Sequence, residues 1–176
     1  TWSCNSRANL DEDTIRFFKD CGLRLFLVGY ESGNDDILKR IKKGVTTDEM
    51  RRFTKACHRV GVVIHGTFIL GLPVETQETI EQTMRFAQDL DVFSMQVSLA
   101  APYPGTELYE MARQNGWFSK KDKTDIVHGD GFQQSTLEYP GLSKDEIFES
   151  VDRFYRRYYL RSGPILRIIK TMLEDK

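Results

Sequence analysis

The side chains able to do chemistry gather at four places, each after an apolar run and before a helical one: Ser6 and Arg7, Glu31 and Ser32, Gly71 with Glu75, and Pro102 with Tyr103. Glu31, in Gly29-Tyr-Glu-Ser-Gly33, offers an ionised carboxylate, an acceptor for hydroxyl or ammonium donors. Gly71-Leu-Pro73 ends the apolar stretch Phe68-Ile-Leu70 with a backbone edge against which a flat group could lie. Each piece alone also has a plainer role: a strand-end glutamate caps a helix or faces solvent, glycine admits a tight turn, and proline starts a helix. Other reactive types are spread thinly. Cys4, Cys21 and Cys57 are odd in number and far apart, which argues against a disulfide framework or a compact metal-ligand run and reads as interior thiols. His58 within a helix and His65 within a strand read as satisfied imidazoles, and His128 lies in a polar loop with no partner by spacing.

The elements that must position these residues follow from periodicity. Trp2 to Asn9 reads as extended, with Asp11 capping a helix whose apolar face is Ile15, Phe17, Phe18 and Cys21 and whose end is Gly22. Leu23 to Tyr30 is a near-continuous apolar run of the kind that a buried parallel strand requires. A short helix over Asp35 to Ile41 precedes a turn and a longer helix, capped by Thr47 and ended by Gly61. The cycle repeats as strand 62–70, helix 76–90, strand 92–100 and helix 105–115. Alternation without hairpin signals predicts an α/β fold of sequential parallel strands with right-handed crossovers. An open doubly wound sheet and part of a barrel both fit, and both put ligands at the carboxyl ends of strands, where the four clusters stand.

Composition narrows the class. At 176 residues, 40% hydrophobic and 29% charged, the chain can bury one sizeable core, and a net charge of -1 gives no general reason to expect nucleic-acid binding. No apolar run reaches the ~18 residues of a membrane span, and Thr1-Trp-Ser-Cys4 lacks the order of a secretory signal, so the expected location is cytoplasmic. A chain that opens on Thr1 and enters a strand at once reads as an excised fragment.

Taken in order, Ser6-Arg-Ala-Asn9, Gly29-Tyr-Glu-Ser-Gly33, Leu38-Lys-Arg-Ile-Lys-Lys-Gly44, Phe68-Ile-Leu-Gly-Leu-Pro73 with Glu75-Thr76, and Pro102-Tyr-Pro-Gly-Thr106 resemble the second half of a radical S-adenosylmethionine barrel. They are most similar to the subgroup with a cobalamin-binding domain ahead of that barrel, which includes anaerobic magnesium-protoporphyrin cyclase and hopanoid-biosynthesis proteins. The resemblance implies a partial TIM-like (β/α)6 barrel, of which residues 1–117 are about four strand-helix units. It implies that Ser6 and Arg7 face the methionine part of S-adenosylmethionine and that Glu31, with Ser32 beside it, bonds its ribose hydroxyls or amino group. Backbone at Ile69 and Gly71 would flank adenine, and Ala101 and Pro102 would close the far side. Val74 and Thr67 stand where the family commonly has glycine. The family's Cys-x3-Cys-x2-Cys loop for a [4Fe-4S] cluster is absent here, so the cluster, and any cobalamin, are expected in the parent protein and not ligated by this chain. The expected substrate is a small molecule or a lipid, such as a hopanoid or a tetrapyrrole; the competing reading is a catalytically silent α/β module that binds a nucleotide or a partner.

After Trp117 the pattern stops: 118–141 reads as a loop crossing the domain, and 142–176 as a helical extension. Ser143-Lys-Asp-Glu146 is a capping-box start for a helix to about Arg161, Ser162-Gly-Pro164 interrupts it, and 165–173 forms a last amphipathic helix. Arg153, Arg156, Arg157 and Arg161 interleave with Phe154, Tyr155, Tyr158 and Tyr159. Packing on the barrel, a membrane-surface helix and a nucleic-acid surface compete as explanations, with packing favoured. The missing amino-terminal half of the parent is an expected partner, and exposed first and last strand edges predict a homodimer or aggregation unless the loop or the helices cover them.

Overall fold

The computed structural model describes residues 1–118 and 137–174. In chain order the elements are β1 (Trp2–Ser6), α1 (Glu12–Asp20), β2 (Leu23–Glu31), α2 (Asp35–Arg40), α3 (Thr47–Val60), β3 (Val63–Leu70), α4 (Gln77–Leu90), β4 (Ser94–Leu99), α5 (Glu107–Asn115), α6 (Lys144–Tyr159) and α7 (Ser162–Glu174). The strands make one parallel sheet in the order β1-β2-β3-β4. Sequential order with right-handed crossovers sends every connecting helix to the same face, whereas a doubly wound sheet reverses direction and carries helices on both. Burial agrees. Along β3, Ile64, Gly66, Phe68 and Leu70 are buried while Val63, His65, Thr67 and Ile69 are half-exposed. One covered face and one bare face decide between the two closures: the sheet is a barrel segment.

The covered face is aromatic. Tyr30 stacks on Phe68 with centroids 5.7 Å apart, Phe86 of α4 meets Tyr30 edge-on, and Phe154 of α6 closes on Phe68 at 5.4 Å. The Tyr30 hydroxyl, buried with its ring, shares a hydrogen bond of 2.6 Å with Thr54 on α3. Leu137, Leu142, Ile147 and Tyr158 join the same core, so the described part of the extension completes the barrel's outer layer.

Local chemistry explains most helix boundaries and corrects a few. The cap of α3 is Thr46, not Thr47: Thr46 Oγ1 accepts from Glu49 N while Glu49 Oε2 accepts from Thr46 N. A box closed from Thr47 would need a reciprocating side chain at position 50, which is Met50; Thr47 instead donates its backbone N–H and hydroxyl to Asp35. Helix α7 starts at Ser162, so Pro164 sits in its first turn, where the missing N–H is not needed. Phe17 is 63% exposed and Cys21, the C-cap of α1, is exposed, because only Ile15 of that helix turns fully inward. Cys57 is buried as expected, and burial pushes its thiol up to about 12.

The two sheet edges differ. Helix α6 lies along β4, and there the Tyr159 hydroxyl accepts from Met95 N (2.9 Å) and the Tyr155 hydroxyl from Val97 N (3.0 Å). These phenols take the place of a next strand. On the other side no strand pairs with the outer edge of β1 among the described residues. Arg157 pairs with Glu81, Arg153 donates to Gln77 at 2.8 Å, and the Tyr158 hydroxyl donates to the Val92 carbonyl, so α6 is a packed helix with its arginines at the rim. Among the described residues no helix is long and apolar enough to cross a membrane.

Candidate functional site

Glu31 is where the sheet departs most from regular geometry. The β2–β3 register shifts between Gly29 and Glu31, and Glu31 adopts a φ of 64°, which costs a non-glycine residue about 1 kcal/mol or more. The bulge keeps Tyr30 in the core while turning the Glu31 carboxylate back over Gly29. There Oε1 accepts from Lys43 Nζ at 2.8 Å, with both side chains less than one-fifth exposed. A Cβ on Gly29 would collide with that carboxylate and lie 2.9 Å from the ammonium. Glycine at 29 is therefore what lets a carboxylate and an ammonium lie flat on the bare face, at the carboxyl end of the strand. Lys43 reaches this place from the turn after α2, part of the Leu38–Gly44 motif to which the resemblance assigned no ligand role.

Beside this pair the bare face is rich in uncharged polar groups. Gly29 is level with Thr67 and Thr67 with Gln96, while Ile69 is level with Ser98. One layer down, His65 Nδ1 shares a hydrogen bond of 2.8 Å with Ser94 Oγ, which is the satisfied imidazole expected of a strand histidine. Ordinary barrel interiors are filled by Val, Ile and Leu. Here β4 turns Ser94, Gln96 and Ser98 inward in their place.

The other predicted positions fare differently. Arg7 is exposed directly after β1, whereas Ser6 shares the register of buried Val28 on the helix-covered side and donates its hydroxyl to the Arg7 carbonyl. Ser32 is fully buried, its hydroxyl shared with Thr83 at 3.3 Å and accepting from Asn34 N, so it anchors the β2–α2 loop to α4 and has no surface for a ligand. Ile69 lies on the bare face, half-buried. Gly71 is buried at φ 80°, and the space a Cβ would fill faces Ile147 of α6 at 3.4 Å, so its glycine serves the turn and helix packing. Ala101 is half-buried with its carbonyl accepting from Tyr103 N, and Pro102 is buried. His128 lies outside the described residues.

Glu75 holds the Gly71 turn. It is 2% exposed, its Oε2 accepts from Gly71 N (2.5 Å) and Leu72 N (3.3 Å), and its Oε1 has no partner among the described residues. Burial outweighs the two donors and pushes its carboxyl up to about 7. From the other side the Tyr139 hydroxyl donates to the Gly71 carbonyl at 2.7 Å, fixing that peptide at both ends.

An iron–sulfur cluster needs several converging thiolates. Cys57 is buried in the core on α3 and Cys21 stands at a helix end, and no group of three His, Cys, Asp or Glu side chains converges among the described residues, so these residues do not fit a cluster. A zwitterionic amino-acid moiety is a different matter. It needs one anion and one cation side by side, which Glu31 and Lys43 provide.

The sequence profile of the Radical SAM superfamily matches residues 1–87. An uncharacterised methyltransferase of Pyrococcus horikoshii is 29% identical over 170 residues, covering 96% of this chain and 36% of that protein. The anaerobic magnesium-protoporphyrin IX monomethyl ester cyclase of Cereibacter sphaeroides is 25% identical over 165 residues, covering 92% of this chain and 26% of that protein. The chain thus spans about a quarter to a third of these relatives. Among solved structures, the radical S-adenosylmethionine methyltransferase TsrM of Kitasatospora setae, determined with cobalamin and a [4Fe-4S] cluster bound, superposes with a TM-score of 0.66 at 18% identity, covering 87% of this chain and 35% of that one.

Proposed function

Since the chain belongs to the radical S-adenosylmethionine superfamily, we propose that it is the part of a longer enzyme that holds S-adenosylmethionine at the carboxyl ends of β2 and β3. The observation that carries this is the Glu31–Lys43 pair laid over Gly29 on the bare face. Its carboxylate and ammonium are complementary to the ammonium and carboxylate of the methionine moiety, with Arg7 at the neighbouring strand end. Ile69 offers an apolar surface to adenine, and the Glu75 and Tyr139 bonds keep the adjoining turn rigid. When bound in such a site, S-adenosylmethionine supplies a deoxyadenosyl radical on one-electron reduction. The electron source belongs to the parent protein, because the thiols here do not fit a cluster. A cobalamin-dependent reaction is the finer reading, supported by the likeness to TsrM and by the relatives described as methyltransferases.

The polar wall of His65, Thr67, Gln96 and Ser98 favours a substrate with hydroxyl, amide or heterocycle groups. A bare hopanoid hydrocarbon would find little to match it. For the chain by itself the absence of fitting cluster ligands among the described residues favours a second reading, a binding module without chemistry of its own.

The test uses the full-length parent, reconstituted anaerobically. Reductive formation of deoxyadenosine from S-adenosylmethionine is expected, with S-adenosylmethionine binding weakened by about tenfold or more in Glu31→Gln and Lys43→Met, the loss expected of one charge-assisted contact. Gly29→Ala should do the same by displacing both side chains. Unchanged binding in all three variants would remove the assignment.

A further inference from the structure

A barrel interior filled by branched aliphatic side chains offers a ligand nothing to hydrogen-bond. The bare face of this sheet is divided instead. On β2 it carries Leu25 and Leu27, both half-buried, ahead of Gly29. On β4, Met95, Val97 and Leu99 turn to the helix-covered side, which leaves Ser94, Gln96 and Ser98 on the bare one. Thr67 of β3 stands between Gly29 and Gln96 in a single register row. One flank is therefore apolar and the other polar.

Within the polar flank Gln96 has the most hydrogen bonds to give. It is exposed, and among the described residues its one hydrogen bond is long, from Nε2 to Ser98 Oγ at 3.4 Å. That bond turns Nε2 toward the carboxyl end of β4. It leaves Oε1 and the second N–H of Nε2 for a ligand, an acceptor and a donor side by side. The bare faces of β3 and β4 carry no lysine, arginine or carboxylate side chain, so no fixed charge there answers an ionic substrate.

The geometry points to Gln96 as a specificity-determining residue that reads a planar amide edge of the substrate, an N–H beside a C=O in one ring. Such an edge engages both groups of Gln96 at once, whereas a hydroxyl engages one and a carboxylate sets its oxygens against Oε1. The Thr67 hydroxyl is level with it on the next strand, and Leu27 and Ile69 offer an apolar surface to the carbon side of the ring. Neighbouring strands are about 4.8 Å apart, so Gln96 stands about 10 Å across the sheet from Gly29. The ring is thus held beside the Glu31–Lys43 pair and not over it. The inference rests on the reading of this face as the one that holds S-adenosylmethionine.

Equilibrium dialysis of the full-length protein, reconstituted anaerobically with S-adenosylmethionine present, tests it with α-pyridone, N-methyl-α-pyridone and benzoate as probes. The ring amide α-pyridone should be retained about tenfold better than its N-methyl analogue, as loss of one hydrogen bond implies, and benzoate least of all. Gln96→Leu should remove the difference between the two pyridones. Gln96→Glu, which presents two acceptors, should move the preference to α-aminopyridine, a switch that a merely structural role would not produce. Because Gln96 is exposed, the thermal midpoint and S-adenosylmethionine binding should stay as they were in both variants. No retention of α-pyridone, retention indifferent to Gln96→Leu, or a preference for benzoate overturns the inference. Glu31→Gln separates it from the cofactor reading. If that variant binds S-adenosylmethionine normally while Gln96→Leu still abolishes the pyridone preference, the amide contact stands and the cofactor's placement fails.

Discussion

Glu75 shows how much one buried carboxylate can decide at the end of a strand. Its charged form is needed by no cation, yet two backbone N–H groups depend on Oε2, and the group is held up at about 7 by burial. A carboxyl whose folded value is raised is neutral in both states below about 4.5, so its contribution is most favourable there. It declines as pH rises from about 4.5 to about 7, the range in which the unfolded chain gives up its proton while the folded carboxyl keeps it, by on the order of 3 kcal/mol in all, and levels off above that. Urea unfolding across pH 5 to 8 should show this decline, and Glu75→Gln should flatten it; an equal slope in the variant would mean that other groups carry it. The sequence marked Glu75 as part of a motif but gave no sign of this environment, because burial comes from Tyr139 and α6, which fold back from far along the chain. The same reason hid the role of Lys43: its stretch stood out as a motif, but its contact with Glu31 exists only once the Glu31 bulge is formed. Glu31 and Ile69 were legible because a strand end and an alternation both follow from neighbours in sequence, whereas the fully buried hydroxyl of Ser32 required knowing what α4 places over it.

At the scale of elements, alternation was enough to order four strands and their helices, since apolar period and turn residues are local properties. Which face of the sheet stays bare was not local, and it is the fact that separates a barrel segment from a doubly wound sheet. Helix α6 illustrates both sides. Ser143 and Glu146 gave away its start, and aromatic spacing favoured packing, but nothing in the pattern said that two of its tyrosines would serve the edge of β4. Each hydroxyl accepts a strand N–H that would otherwise face a phenyl ring, and losing one such partner costs about 1–3 kcal/mol. Tyr155→Phe and Tyr159→Phe should therefore each lower stability by about that amount in denaturant titrations. The double variant should also aggregate more readily, since it leaves N–H groups on an open edge. If both single variants prove as stable as the wild type, water satisfies the edge and the phenols are incidental.

The molecule as a whole is a sheet with one finished side. The β4 edge is closed by α6 and the covered face by helices, while the outer edge of β1 has no paired strand among the described residues and the opposite face of the sheet stays bare. Coverage of 36% of the Pyrococcus horikoshii relative fits a sheet finished on one side only. An unpaired parallel edge with N–H and C=O groups in register is a template for another strand. β1 has only Asn5, Ser3 and Trp2 along its exposed stretch, without the lysines or prolines that blunt natural edges. The chain produced by itself is thus expected to associate in a concentration-dependent way through β1, and to become monomeric when the preceding half of the parent is supplied in the same polypeptide. Light scattering over a dilution series of both forms measures this. Ser3→Pro separates edge pairing from nonspecific collapse, because a proline at a position whose N–H is offered outward blocks the added strand while leaving an apolar surface as adhesive as before. A chain that stays monomeric alone at high concentration would mean that β1 is already shielded and that the barrel segment is complete as a folding unit.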